Sequence, residues 1–227
     1  MRNIVVGSAF RDAAGRQVTL WLDQVAALQA YLCTDSVRAI AVEGDSTDST
    51  RRQLTQKGGH SLLDLDLRTC NHGGPAYGQT EAPERMKALA KVGTEMLRGV
   101  TALDDVLVYV ESDLIWDSLT IAELVEMVSV DGKTVIAPLV FAGANFYDVW
   151  GFRKDGDRFS PFPPYHAGLN PSGLTEVDSV GSCLVMPASA AMQVPFGDNH
   201  LIDWCANARA AGYCIMVSAD HAIRHPA

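Results

Sequence analysis

Two stretches of this 227-residue chain close an apolar run with paired carboxylates. Val106-Leu-Val-Tyr-Val110 stops at Glu111-Ser112-Asp113, and Val37-Arg-Ala-Ile-Ala-Val42 stops at Glu43-Gly44-Asp45. A short apolar run closed by acids reads as a buried strand delivering carboxylates at its C-terminal end. In an open α/β sheet that edge is where ligands bind. Side chains alternate faces along an extended chain, so Glu111 and Asp113 are expected on one side. Hard oxygen ligands gathered there suit Mg2+ or Mn2+, and such an ion would in turn hold a diphosphate. Taken alone, Glu111-Ser112-Asp113 is more often an acidic surface turn after a core strand, and the weight comes from the rest of the chain.

Further residues of chemical interest lie along it. Arg85 falls in the first turn of an expected helix, where a cation is unfavourable for the helix dipole, so an anionic partner or plain solvation is expected for it. Gly181 would let a ligand approach the backbone closely. Asp178, His200 and Asp203 are titratable groups in the C-terminal third, and Asp203 reads equally as part of a solvated helix face. His60, His72, His166 and His221 show no ligand spacing.

These residues need elements to position them. Asn3 to Phe10 reads as a first strand, followed by a polar loop and a helix over Val18 to Tyr31 with Leu20, Trp21, Val25 and Leu28 at helical spacing. Strand, loop and helix begin a βαβ unit. A second strand covers 37–42, and Ser46 and Thr47 offer N-caps for a helix over Thr50 to Lys57. Ser61 to Leu67 alternates as a half-exposed strand, and Arg68 to Pro83 is a Gly-rich loop. A helix over Glu84 to Arg98, the strand at 106–110, a helix over Leu119 to Val130 and a strand over Thr134 to Val140 follow. Residues 143–164 are aromatic-rich, suited to sugar faces or to a core, and Ser160 to His166 carries too many prolines for a central strand. Glu176 to Pro187 reads as a strand, Asp198 to Ala211 as a helix and Tyr213 to Ser218 as the last strand.

Composition excludes several classes. Hydrophobic content of 48% and charged content of 20% describe a globular protein, long enough for one large domain or two small ones. No apolar run reaches the ~20 residues of a membrane span, and the first residues do not read as a signal peptide, so a cytoplasmic location is expected. Five cysteines without Cys-x-x-Cys spacing disfavour structural zinc and a disulfide framework. A net charge of −9 makes nucleic acid a poor partner. The first turn lacks Gly-x-Gly-x-x-Gly, which removes the main support for dinucleotide binding.

Four patches together resemble a glycosyltransferase of the GT-A fold, of the family-2 type and the fungal mannan-polymerase type of mannosyltransferase. They are Val42-Glu-Gly-Asp-Ser-Thr-Asp-Ser-Thr50, Val110-Glu-Ser-Asp-Leu-Ile-Trp116, Val177-Asp-Ser-Val-Gly-Ser182, and Asp203-Trp-Cys-x-x-Ala-Arg-x-x-Gly-Tyr213 with Ile223-Arg-His225. The resemblance implies one Rossmann-like α/β domain over residues 1–227, with a mixed, mostly parallel sheet flanked by helices. Residues 1–118 would form the nucleotide-binding half and 119–227 the donor-sugar and acceptor half.

It also implies roles. Ser8, Phe10, Glu43 and Asp45 would meet the nucleotide, Glu111 the ribose or donor sugar, Gly181 and Ser182 the donor sugar, and Arg85 the diphosphate. Asp113 and His225 would hold Mn2+ or Mg2+. The Glu-Asp pair usual before the last helix is replaced by His200-Leu201, so Asp203, His200 or Asp178 is left to serve as a general base, or a retaining mechanism dispenses with one. The implied activity is metal-dependent transfer of a sugar from a nucleotide-sugar donor to a glycan, small-molecule or protein hydroxyl. Two alternatives are a non-catalytic relative that binds a sugar or a partner, and a sugar-phosphate nucleotidyltransferase. The latter is disfavoured because Ser8-Ala-Phe-Arg-Asp12 has too few glycines.

Overall fold

The computed structural model describes residues 1–60, 63–78 and 80–226, excepting the side chain of residue 60. The elements run in the order β1 (Asn3–Phe10), α1 (Arg16–Tyr31), β2 (Ser36–Glu43), α2 (Thr50–His60), β3 (Asp64–Thr69), α3 (Pro83–Leu97), β4 (Val106–Val110), α4 (Ser118–Ser129) and β5 (Thr134–Ala142). Then come β6 (Asn145–Phe146), β7 (Arg153–Lys154), β8 (Asp157–Arg158), β9 (Leu174–Glu176), β10 (Cys183–Pro187), α5 (Ala188–Gln193), α6 (His200–Ala210) and β11 (Cys214–Arg224).

Among the described residues the main sheet has the order β3-β2-β1-β4-β10-β5-β11-β9, with β6 beside β5. Strands β1 to β4 are mutually parallel, β10 runs antiparallel between β4 and β5, and β11 is parallel to β5. This is the expected mixed, mostly parallel α/β sheet. Its central strands are buried on both faces, as continuous apolar runs demand. Alternate residues feed two cores. Val5, Leu107 and Tyr109 pack with Met96, Trp204 and Ala208 on the α3, α5 and α6 side. Ile4, Val6, Val108 and Val110 pack with Trp21, Leu28, Ile121 and Leu124 on the α1 and α4 side.

Several expectations change. The 61–67 strand is seen from Asp64, and its first two residues lie outside those described. Glu176 to Pro187 is not one strand: β9 ends at Glu176 and β10 starts at Cys183, because β9 pairs with β11 and β10 with β4 and β5. The last strand continues past Ser218 through a bulge to Arg224. At α2 the carboxylate of Asp48, rather than Ser46 or Thr47, accepts from the Thr50 N–H at 2.8 Å. No helix among the described residues is long and apolar enough to cross a membrane.

The connection from α3 into β4 is pinned by an ion pair. Arg38 Nε donates to Asp104 Oδ1 at 2.9 Å, while the Thr101 N–H donates to Asp104 Oδ2 at 2.7 Å. Burial opposes the charge on Asp104, but Arg38 and Thr101 outweigh it and hold the carboxyl below its ordinary range. Its stabilisation is present above the unfolded-state pKa of about 4 and is lost as pH falls through the lower folded value.

Candidate active site

The register levels three strand ends at one rim. Phe10 pairs with Glu43 across β1 and β2, and Gly7 pairs with Tyr109 across β1 and β4. The carboxylates after β2 and β4 therefore lie on the same edge, two strand spacings apart, roughly 10 Å. Ser8 is buried at this rim, where its hydroxyl donates to the Val110 carbonyl at 2.6 Å. Phe10 is buried too, its ring edge-on to Trp21 at 5.1 Å between centroids.

At the end of β2, Glu43 is buried and accepts from Arg51 at 3.2 Å. Asp45 sits in the left-handed region at φ 56, a conformation Asp tolerates. Its Oδ2 accepts from the N–H groups of His72 and Gly73 at 2.8 and 3.0 Å. Those bonds, the His72 N–H foremost, hold the carboxyl below its usual range. The loop after β3 is thereby folded onto the end of β2, so closely that a Cβ on Gly44 would lie 1.9 Å from the Cys70 carbonyl oxygen. Arg11 closes the same loop by donating to the carbonyls of Gly74 and Pro75.

At the end of β4 the extended-chain expectation fails. Residues 111–114 turn, with the Leu114 N–H donating to the Glu111 carbonyl at 3.1 Å, so Glu111 and Asp113 separate. Asp113 turns to the C-terminal segment, where its Oδ2 lies 3.2 Å from His225 Nε2. The exchange between Ile115 and Arg224 ties that segment to the chain that follows β4, and His225 stacks on Tyr147 with centroids 3.9 Å apart. Asp113 Oδ1 is buried with no hydrogen-bond partner among the described residues.

Glu111 instead faces a cavity of about 280 Å³ on the α3 and α6 side, walled by Arg85, Tyr147, Asp148, Gly181, Ser182 and His200. Burial, then the charges of Asp113 and Asp148, push the Glu111 carboxyl up to about 8, against the pull of Arg85 and Ser182. His200 starts α6 with φ 52, stacks on Phe196 at 5.1 Å and lies 3.1 Å from the Tyr109 hydroxyl. Burial, then Arg85, push its imidazole down to about 3, so it is neutral near pH 7.

Asp178 and Asp203 lie outside this cavity. Asp178 pairs with Arg209 at 2.9 Å and accepts from the Gly156 N–H. Asp203 accepts from the Asn199 N–H at 2.9 Å and packs behind Gly197, closing the first turn of α6.

Among the described residues no three His, Cys, Asp or Glu side chains form a metal cluster. Asp113 and His225 nevertheless suit one ion. Their 3.2 Å separation is close to the roughly 3 Å between neighbouring ligands of an octahedral ion with ~2.1 Å bonds. A buried carboxylate oxygen without a partner fits the same role, and Mg2+-type ions take one or two protein ligands and complete their shell with phosphates and water.

No protein-family model matches the sequence, and no curated protein matches it. Solved structures do match. The chain aligns over 99% of its length with 43% of GalNAc-T7, solved with UDP, GalNAc and Mn2+, at a TM-score of 0.64 and 13% identity. It aligns over its full length with 60% of the solved chain of S. aureus TarS 1-349, at 0.61 and 14%. It aligns over 97% with 56% of the mannosyltransferase PcManGT of Pyrobaculum calidifontis, solved with GDP-Man and Mn2+, at 0.60 and 13%. The chain has the GT-A fold. At these identities the likeness is one of fold, and the chain spans about half the length of these structures.

Within the GT-A fold of this chain, sequence reasoning passed over Asp148. It sits in the aromatic stretch after β6, where no periodicity marks it. Only the aromatic character of residues 143–164 pointed to a sugar site there. Asp148 is 8% exposed, and burial raises its carboxyl to about 6 despite Ser182 and the Gly151 N–H. A raised folded pKa means that charging the group costs folding energy. Native stability should therefore fall as pH rises from about 4 through 6. Asp148→Asn removes that cost and should gain on the order of 2 kcal/mol at pH 8 and nothing at pH 4. Urea unfolding at the two pH values checks it, and an equal effect at both would contradict the assignment.

Proposed function

We propose that the chain is a divalent-metal-dependent glycosyltransferase moving a sugar from a nucleotide-sugar donor to an acceptor hydroxyl. The observation that carries this reading is the Asp113–His225 pair at 3.2 Å, next to a cavity of about 280 Å³ walled by Glu111, Gly181 and Ser182. Glu43 and Asp45 meet the nucleoside at the end of β2, with Ser8 and Phe10 of β1 between them and β4. Asp113 and His225 hold Mn2+ or Mg2+, with Tyr147 fixing the imidazole plane. The ion supplies charge stabilisation to the departing nucleoside diphosphate. Arg85 adds a positive charge on the cavity side. Residues 1–118 then serve the nucleotide, and 119–227 the sugar and acceptor.

Of the three base candidates only His200 lines the cavity. With its pKa near 3, it takes up protons poorly at neutral pH. It orients the acceptor hydroxyl by hydrogen bonding instead. The loss of His200 as a base lends weight to a second reading, a protein that binds nucleotide sugars without turning them over.

A thermal-shift screen of nucleotide sugars with Mn2+ tests the proposal, because a bound donor raises the melting temperature by mass action. A metal-dependent shift with hydrolysis of the same donor supports transfer. A shift without turnover favours the binding protein, and no shift with any donor removes both readings.

A further inference from the structure

Asp148 is a buried carboxylate that the roles above leave unused. The Gly151 N–H donates to its main-chain carbonyl at 3.2 Å, while its carboxylate Oδ2 is buried with no hydrogen-bond partner among the described residues. The carboxylate packs flat on the chain opposite, where a Cβ on Gly181 would lie 2.7 Å from Oδ1. Its orientation is therefore fixed by backbone rather than by flexible side chains. An acceptor buried without a partner costs free energy, and a ligand hydroxyl would relieve that cost. The cavity it lines, at about 280 Å³, lies at the small end of ligand pockets, which run from roughly 300 to 1,000 Å³. It has room for one sugar ring. Glu81, Glu111 and Asp148 are on its wall, against the single cation Arg85, and Glu81 is already engaged by Arg158 at 2.7 Å.

We propose that Asp148 accepts hydrogen bonds from hydroxyls of the donor sugar and restricts the donor to a neutral hexose, excluding uronic acids. The inference rests on the glycosyl-transfer reading above. A sugar carboxylate in this cavity would meet the Asp148 carboxylate, whose Oδ2 is buried, in a space where like charges repel more strongly than in bulk water. A neutral ring brings donors to it. A site built to hydrogen-bond a hydroxyl rejects analogues that lack it, because its own polar group is then left unpaired.

The test is calorimetric titration of the full chain and of Asp148→Asn in the presence of Mn2+. The probes are UDP and GDP, the neutral conjugates UDP-glucose, UDP-N-acetylglucosamine and GDP-mannose, and the acidic conjugates UDP-glucuronic acid and GDP-mannuronic acid. In the native chain at least one neutral conjugate should bind about tenfold more tightly than its parent diphosphate, and the acidic conjugates should gain nothing. Asp148→Asn should lose most of that gain and bind the parent diphosphate within about twofold of the native chain. An acidic conjugate binding as tightly as its neutral counterpart, no gain from any neutral conjugate, or a full gain retained in Asp148→Asn overturns the proposal. The native-chain comparison stands whether or not the variant folds. If neither UDP nor GDP binds the native chain with Mn2+, the transfer reading itself fails, a result distinct from normal diphosphate binding with indifference to the sugar.

Discussion

Asp113→Ala abolishes Mn2+-supported binding of nucleoside diphosphate, weakening it on the order of 100-fold or more, and leaves the fold intact. The expectation follows from what Asp113 does and does not touch. Its Oδ1 is buried without a partner among the described residues, and its Oδ2 meets only the His225 imidazole at 3.2 Å. Removing the carboxylate therefore strands no buried donor of the core. His225 keeps its stack on Tyr147 and its backbone bond to Phe141. An ion, by contrast, would lose a charged ligand of a site with only two. Titration of UDP or GDP with Mn2+ reads the loss, and the melting temperature reads the fold. Unchanged affinity in the variant refutes the metal assignment.

Trp204→Ala is the second large effect, and it acts on stability. Trp204 is fully buried in the core between the sheet and α6, and its indole N–H donates to the Val194 carbonyl at 3.1 Å. It lies one turn beyond His200, so both share a face of the helix, and Phe196 packs against both rings. Truncation leaves a cavity and an unpaired carbonyl, which together cost about 3–5 kcal/mol. The His200 wall of the site should loosen with it. Urea unfolding measures the loss, and a value below about 1 kcal/mol would mean that α6 is anchored elsewhere.

The parts of the fold legible from residue order were those whose pattern is local. β1 and β4 stand out because both their faces are buried, which leaves uninterrupted apolar runs at 4–6 and 106–110. The carboxylates closing β2 and β4 were visible for the same reason, and the parallel register then sets them on one edge. What depends on non-local pairing was not visible. Nothing near Cys183 announces that β10 inserts antiparallel between β4 and β5. The turn at 111–114 defeats the alternation that would have kept Glu111 and Asp113 together. Asp178 and Asp203 had the right chemistry by type, but Arg209 and the Asn199 N–H occupy them, and no spacing rule reports such partners. Asp148 is the converse case: its chemistry comes from burial against Gly181 and Ser182, residues more than thirty positions away.

Release of nucleoside diphosphate from a bound nucleotide sugar, followed in one sample as Mn2+ is added, chelated and restored, tests sugar transfer at this rim most directly. The account predicts release that starts with the metal, stops on chelation, returns when Mn2+ is restored, and is absent throughout in Asp113→Ala. Release that continues unchanged under chelation, or that Asp113→Ala retains, would contradict it.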